Sequence, residues 1–183
     1  MDEERNPWTT LSSRVVYQNA WISVREDQVV RPDGNPGIYG VVSCRTAVGV
    51  IALPDDDHVL LVGQYRYPTK HYSWEIIEGG SDGSEDPLAT AKRELREEAG
   101  YAAERWEPLG QECHLSNCHS SEVAVFFIAR GLQHIGSEPE GTEVLALRSV
   151  PLVQAFHMVD RGEIKDAMSI IALYCLSRML SPR

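Results

Sequence analysis

Glu94, Glu97 and Glu98 stand in the run Arg93-Glu94-Leu95-Arg96-Glu97-Glu98. If that run is helical, the three carboxylates share an arc of roughly 100° on its surface. Glu94 and Glu98 are then neighbours one turn apart, and like charges at that spacing weaken a bare helix. The arrangement calls for a cation. Hard carboxylate oxygens suit Mg²⁺ or Mn²⁺, ions that keep several waters and engage phosphate oxygens directly. The chemistry these residues offer is therefore metal-assisted work on a phosphorylated substrate. The plainer alternative is a solvated charged face on which Arg93 and Arg96 balance the acids.

The helix that must carry these side chains is marked at both ends. Asp86 is a candidate N-cap, Pro87 suits the first helical position and Gly100 suits the stop. Leu88, Ala91, Leu95 and Ala99 recur at helical spacing and form a core stripe beside the acids. A Gly-rich acidic loop precedes the helix, and a short strand, Ser73–Ile77, precedes the loop. Ala47–Leu53 and Val59–Gln64 are β-rich runs separated by Pro54-Asp55-Asp56-Asp57, the pattern of a hairpin with largely buried strands. Three short strands are expected between Ser13 and Ser43, with Arg31-Pro32-Asp33-Gly34 as the turn between the second and third. Downstream, strands are expected at Trp106–Cys113, Val123–Ala129 and Val144–Leu147. A short helix follows Pro151, and a longer one runs from about Asp166 to Leu180, its apolar positions almost encircling it. Residues 1–43 thus read as an N-terminal strand subdomain and 44–183 as the main domain.

The formal net charge of the 183 residues is -10, which argues against broad electrostatic binding to nucleic acid or an anionic membrane. Local cations must then meet any phosphorylated ligand, and clustered carboxylates can recruit them as metal ions. Composition is that of a globular chain, with 43% apolar and 24% charged residues. The acidic start MDEERN has no secretory or transit pattern, and no apolar run approaches membrane-spanning length, so a cytoplasmic protein is expected. Cys44, Cys113, Cys118 and Cys175 fit reduced thiols better than a disulfide lattice. Cys113-His114 and Cys118-His119 offer zinc-type ligands, but at a spacing that fits no common finger.

Counting from Gly79, the chain has five residues, Glu85, seven residues, then Arg93-Glu94-Leu95-Arg96-Glu97-Glu98-Ala99-Gly100-Tyr101. This resembles the Nudix box, with every fixed position met and Tyr101 where an aliphatic residue is more usual. The plain charged-face reading does not account for the spaced Gly79 and Glu85. The resemblance implies an α/β fold, a Nudix-type α/β/α sandwich around a mixed β-sheet with a small N-terminal antiparallel strand subdomain. It implies that Glu94 and Glu98 are direct metal ligands, with Glu97 a ligand or a support to them, and that Gly79, Glu85 and Arg93 brace the loop. The backbone carbonyl of Glu78 is a further metal oxygen on this reading. Glu97, Glu98 and Glu138 become the candidate catalytic residues.

The flanks resemble one branch of that family, the ADP-ribose and nucleotide-sugar pyrophosphatases. Val62-Gly63-Gln64-Tyr65-Arg66-Tyr67, Trp74-Glu75 and the N-terminal strands carry this likeness. Relatives often read Trp-Glu-apolar-Pro-Ala-Gly, whereas this chain has Trp74-Glu75-Ile76-Ile77-Glu78-Gly79. The loop Ser116–Glu122 lacks a proline often associated with ADP-ribose specificity. Glu138 and Glu140 fall where the branch carries an acidic loop; Glu138 is expected as general base and Glu140 as a metal contact, against an ordinary polar loop. Arg66 is either a phosphate partner or half of a structural ion pair. Glu75 and Trp21 complete the substrate candidates, with strand aromatics more commonly core. The expected activity is metal-dependent hydrolysis of a nucleoside diphosphate derivative to a nucleoside monophosphate and a sugar phosphate. The partners expected are a small nucleotide substrate and a second copy of the chain, a homodimer. The alternatives are a nucleoside triphosphate pyrophosphohydrolase and a non-catalytic nucleotide-sensing module.

Overall fold

The computed structural model describes residues 5–81, 83, 85–136 and 144–181. The chain divides into two compact units, Met1–Arg45 with His114–Val123, and Thr46–Cys113 with Ala124–Arg183. In the first, β1 (Thr9–Gln18), β2 (Ser23–Val30) and β3 (Pro36–Ser43) form an antiparallel sheet in that order. The Arg31–Asn35 turn joins β2 to β3, tied by the Gly34 N–H donating to the Arg31 carbonyl at 2.9 Å. Residues 114–123 return to β3: the Val42 N–H donates to the His119 carbonyl at 2.8 Å, and the Tyr39 hydroxyl to the Cys118 carbonyl at 2.6 Å.

The second unit is built on β4 (Ala47–Leu53) and β5 (His58–Arg66). Their two runs do not form the expected hairpin. β4 lies between β7 (Ile77–Gly80) and β10 (Val123–His134), antiparallel to the first and parallel to the second, and β8 (Tyr101–Pro108) extends that sheet beyond β10. β5 is instead the middle strand between β6 (His71–Glu75) and β11 (Ala146–Pro151). Each apolar run is buried on both faces and has both edges occupied, which a two-stranded hairpin would leave open. The single strand expected at Ser73–Ile77 is likewise two strands in different sheets. Between them the Ile76 N–H leaves the ladders and donates to the Ser169 hydroxyl at 2.9 Å. The strand expected from Trp106 starts earlier, at Tyr101, directly after the helix stop, and Cys113–His114 is a separate short strand, β9.

Helix α1 (Pro87–Ala99) starts and stops where its sequence marks it. The Asp86 carboxylate accepts from the Ala89 N–H, Pro87 opens the helix, and Gly100 takes the left-handed conformation at φ 74°. Its stripe of Ala91, Leu95 and Ala99 packs in one cluster with Val48, Val50 and Ala52 of β4, Leu60 and Val62 of β5, and Ile77. Each large aliphatic side chain buried this way contributes about 1.5–3 kcal/mol. Alternate residues of β4, Ile51 and Leu53, are buried on the opposite face, where α3 (Ala167–Leu180) packs. Helix α2 (Leu152–Asp160) packs against α3 and β11. The result is the mixed sheet between helices that the sequence implies, with an N-terminal antiparallel sheet. No described helix is long and apolar enough to cross a membrane.

Candidate functional site

The carboxylates of α1 are unequal in their surroundings. Glu94 and Glu98 are buried, at 9% and 6% exposure, while Glu97 is half-buried. Helical pitch explains the difference, because Glu94 and Glu98 sit one turn apart on the side that meets β7, beside the core stripe. The chain makes room for them by what it omits. A Cβ placed on Gly79 would overlap the Glu94 carboxyl group, so the box glycine leaves a cradle that the Glu94 side chain fills. The Glu78 N–H donates to Glu98 Oε2 at 3.1 Å, which fixes the second carboxylate against the same strand.

Arg93 joins most of the remaining box residues. Its Nη1 donates to Glu94 Oε1 at 2.7 Å and to Glu97 Oε2 at 2.8 Å, its Nε to Glu85 Oε2 at 3.2 Å, and its Nη2 to the Gly80 carbonyl at 3.1 Å. Partial burial opposes its charge, but the carboxylates of Glu97, Glu94 and Glu85 outweigh that and hold its pKa above the ordinary arginine range. Glu85 also accepts from the Thr90 hydroxyl at 3.1 Å, which ties the loop to the first turn of the helix.

A second group of polar residues lies on the other side of Glu78. Arg66 at the end of β5 donates through Nε to Glu75 Oε1 and Oε2 at 3.1 and 2.9 Å, and Glu75 is only 2% exposed. The two residues lie on one face because Gln64 pairs with Ser73 and Arg66 with His71 in the β5–β6 register. Arg66 Nη2 is 3.8 Å from Glu78 Oε2, and the Ser169 hydroxyl donates to Glu78 Oε1 at 3.0 Å. Burial pushes the Glu78 carboxyl well above the ordinary carboxylate range. The neighbouring Asp166 and Glu75 carboxylates add to that, and the Ser169 hydroxyl opposes it.

The site-residue expectations thus divide. Gly79, Glu85, Arg93, Glu94 and Glu97 meet in one network, and Glu98 and Glu78 are linked beside it. Of the two alternatives for Arg66, the ion pair with Glu75 is present. Its Nη1 makes no hydrogen bond among the described residues, so the pair does not consume the whole guanidinium. Trp21 lies in the first unit and is 71% exposed. Glu138 and Glu140 lie outside the described residues. Cys118 Sγ lies 3.1 Å from His119 Nδ1, but no three His, Cys, Asp or Glu side chains among the described residues are gathered tightly enough to hold an ion by themselves. Asp166, Ser169, Thr90 and the Gly80 carbonyl are participants that the sequence did not single out. Asp166 carried a signal only as the start of a helix, and Ser169 carried none.

The donors on α1 are of the type that a hard divalent cation takes, two buried carboxylates on adjacent turns and a third alongside, and a glycine cradle keeps one of them in place. Comparison with known families agrees with this geometry. Residues 44–170 match the NUDIX domain. The chain belongs to the Nudix family. Ahead of the Nudix domain, residues 8–42 match the nucleoside diphosphate sugar hydrolase N-terminal domain. The chain is similar to an ADP-ribose pyrophosphatase of Mycobacterium tuberculosis, 33% identical over 165 residues that cover 88% of this chain and 79% of the relative. An ADP-ribose pyrophosphatase of Bacillus subtilis is 27% identical over 169 residues, 91% of each chain. The solved structure of an ADP compounds hydrolase superposes with a TM-score of 0.84 over 94% of both chains at 23% identity, which shows that this Nudix fold is shared.

Proposed function

We propose that the chain hydrolyses the pyrophosphate linkage of a nucleoside diphosphate joined to a sugar, ADP-ribose or another nucleotide sugar. The products are a nucleoside monophosphate and a sugar phosphate. The match to the N-terminal domain of nucleoside diphosphate sugar hydrolases and the two ADP-ribose pyrophosphatase relatives support the reading. The observation that carries it is the pair of buried glutamates on α1, Glu94 seated against Gly79 and Glu98 tied to the Glu78 N–H.

In this reading Glu94 and Glu98 hold Mg²⁺, with Mn²⁺ as the alternative, Glu97 stands beside them, and the Glu78 carbonyl and Glu140 contribute further oxygens. A bound divalent ion neutralises diphosphate charge and makes a water more acidic. Glu138 receives the proton of the attacking water, and Glu97 and Glu98 keep the reacting groups in register. Arg66, held by Glu75, pairs with a phosphate through its remaining N–H groups, which positions the diphosphate for in-line attack on one phosphorus. Trp21 contributes a stacking surface. Gly79, Glu85 and Arg93 fix the loop and helix geometry on which the ligands depend. The N-terminal strands of residues 1–43 join two copies in a homodimer. In support, all ten residues of β1 are exposed in the single chain, Leu11, Val15, Val16 and Tyr17 among them. Four free cysteines fit a reducing, cytoplasmic setting.

The test is incubation with Mg²⁺ and a panel of ADP-ribose, nucleotide sugars, dinucleoside polyphosphates and nucleoside triphosphates, with Glu98→Gln as control. A nucleotide sugar should give its monophosphate, and the variant should be slower by about a hundredfold or more. Near-normal turnover by Glu98→Gln would remove the metal-ligand role. Triphosphates cleaved in preference to sugars would replace the substrate assignment.

A further inference from the structure

A cavity of about 710 Å³ opens along the outer edge of β6, between that strand and the segment that leads into α3. Its volume lies within the range of small-molecule sites. Its polar wall decides what it can hold: Arg66 and Lys165 donate, Glu75, Glu163 and Asp166 accept, and the hydroxyls of Thr69 and Ser73 do both. A phosphate needs donors alone and would be repelled by the three carboxylates. A sugar hydroxyl donates and accepts at the same atom, so a ring bearing several of them can pair with a wall of mixed groups.

The cavity also adjoins the chemistry. Arg66 belongs to its wall and at the same time lies 3.8 Å from Glu78, whose N–H holds the Glu98 carboxylate. Asp166 is fixed from behind: its Oδ2 accepts from the Ser169 N–H at 2.7 Å as the N-cap of α3.

We propose that this cavity is the subsite for the sugar half of the substrate, with Asp166 accepting from its hydroxyls and the first turn of α3 holding Asp166 in position. The proposal rests on the reading of the chain as a nucleotide-sugar hydrolase. A diphosphate bound at Arg66 leaves one end of the substrate at the mouth of the cavity, and the mixed wall selects the end that is rich in hydroxyls.

The experiment compares two substrates that share a nucleoside diphosphate. One is the nucleotide sugar cleaved fastest by the wild type, and the other is the corresponding ethyl ester, whose leaving half has no hydroxyl. Asp166→Ser keeps an N-cap for α3 while withdrawing the carboxylate, and Ser73→Ala removes a hydroxyl of the wall and leaves the helix cap untouched. In both variants the ratio of kcat/KM for the sugar over the ester should fall about tenfold, carried by KM of the sugar substrate rather than kcat. A variant that merely misfolds would depress both substrates together and leave the ratio unmoved. If the wild type cleaves the sugar substrate and the ratio is unchanged in both variants, the subsite is refuted while the hydrolase reading stands. If the wild type cleaves no nucleotide sugar, both fall.

Discussion

Replacing Gly79 by alanine tests the geometry of the site without touching a charged group. Gly79 sits in the β7 ladder, outside the left-handed region, so alanine is compatible with its backbone. By reducing the freedom of the unfolded chain it would, on its own, stabilise the fold by about 0.4–1 kcal/mol. The new methyl group, however, overlaps the Glu94 side chain from Cγ to Oε1. The carboxyl group must therefore swing out of the cradle, at a rotamer cost of about 0.5–1.5 kcal/mol, and give up its 2.7 Å contact with Arg93. The backbone gain and the rotamer cost nearly cancel, which leaves the lost ion pair at about 0–1 kcal/mol, so the melting temperature of the metal-free protein should fall by no more than about 4 °C. Divalent-ion affinity and turnover should fall by about 10- to 100-fold, as when a group that orients a ligand is lost. Mn²⁺ titration followed by electron paramagnetic resonance reads the affinity, and the Mg²⁺ dependence of turnover reads the consequence. If Gly79 acts only through Glu94, the double variant Gly79→Ala/Glu94→Gln should bind no more weakly than Glu94→Gln alone. Mn²⁺ affinity in Gly79→Ala within twofold of wild type would refute the argument that this cradle places a metal ligand.

Arg93→Ala removes the guanidinium that separates Glu85, Glu94 and Glu97, and should lower stability in chelator by about 2 kcal/mol, read by urea denaturation. Added Mg²⁺ should recover part of that loss by binding the folded state. The raised pKa of Glu78 means that the folded state holds a proton there which the unfolded chain releases sooner. Its contribution is therefore full below the ordinary carboxyl range and is lost as pH rises towards the raised value. Glu78→Gln should flatten the decline in stability with pH across that window, and an unchanged slope in urea melts would show that Glu78 is not its source. Asp86→Ala should cost about 1 kcal/mol of stability through the lost cap on α1, with turnover per folded molecule nearly preserved.

What could be read in the sequence was what is decided locally. Asp86, Pro87 and Gly100 bracket α1 because capping chemistry acts over a single turn, and the box glutamates fall on one face because pitch fixes their directions. The N-terminal strands and their turn were legible for the same reason. Errors arose where a distant partner decided the outcome. Nothing in Ser73–Ile77 marks the change of sheet at Ile76, because the group that receives its N–H is Ser169, far along the chain on α3. The apparent hairpin of β4 and β5 failed similarly: both edges of each strand are taken by segments the local pattern does not name. Arg66 left two possibilities open in the sequence, since a cross-strand register is needed to bring Glu75 to the same face.

The switch at Ile76 has a mechanical consequence. Glu75 and Glu78 are three positions apart, yet one anchors Arg66 in one sheet and the other anchors Glu98 from the other sheet. The interval between guanidinium and carboxylate is thereby set by a short backbone link clamped at both ends rather than by the reach of flexible side chains. Such a link acts as a gauge. One residue inserted within it would turn one of its two anchors to the opposite face of its strand, and the chain would lose the fixed interval between Arg66 and Glu98 while keeping both side chains.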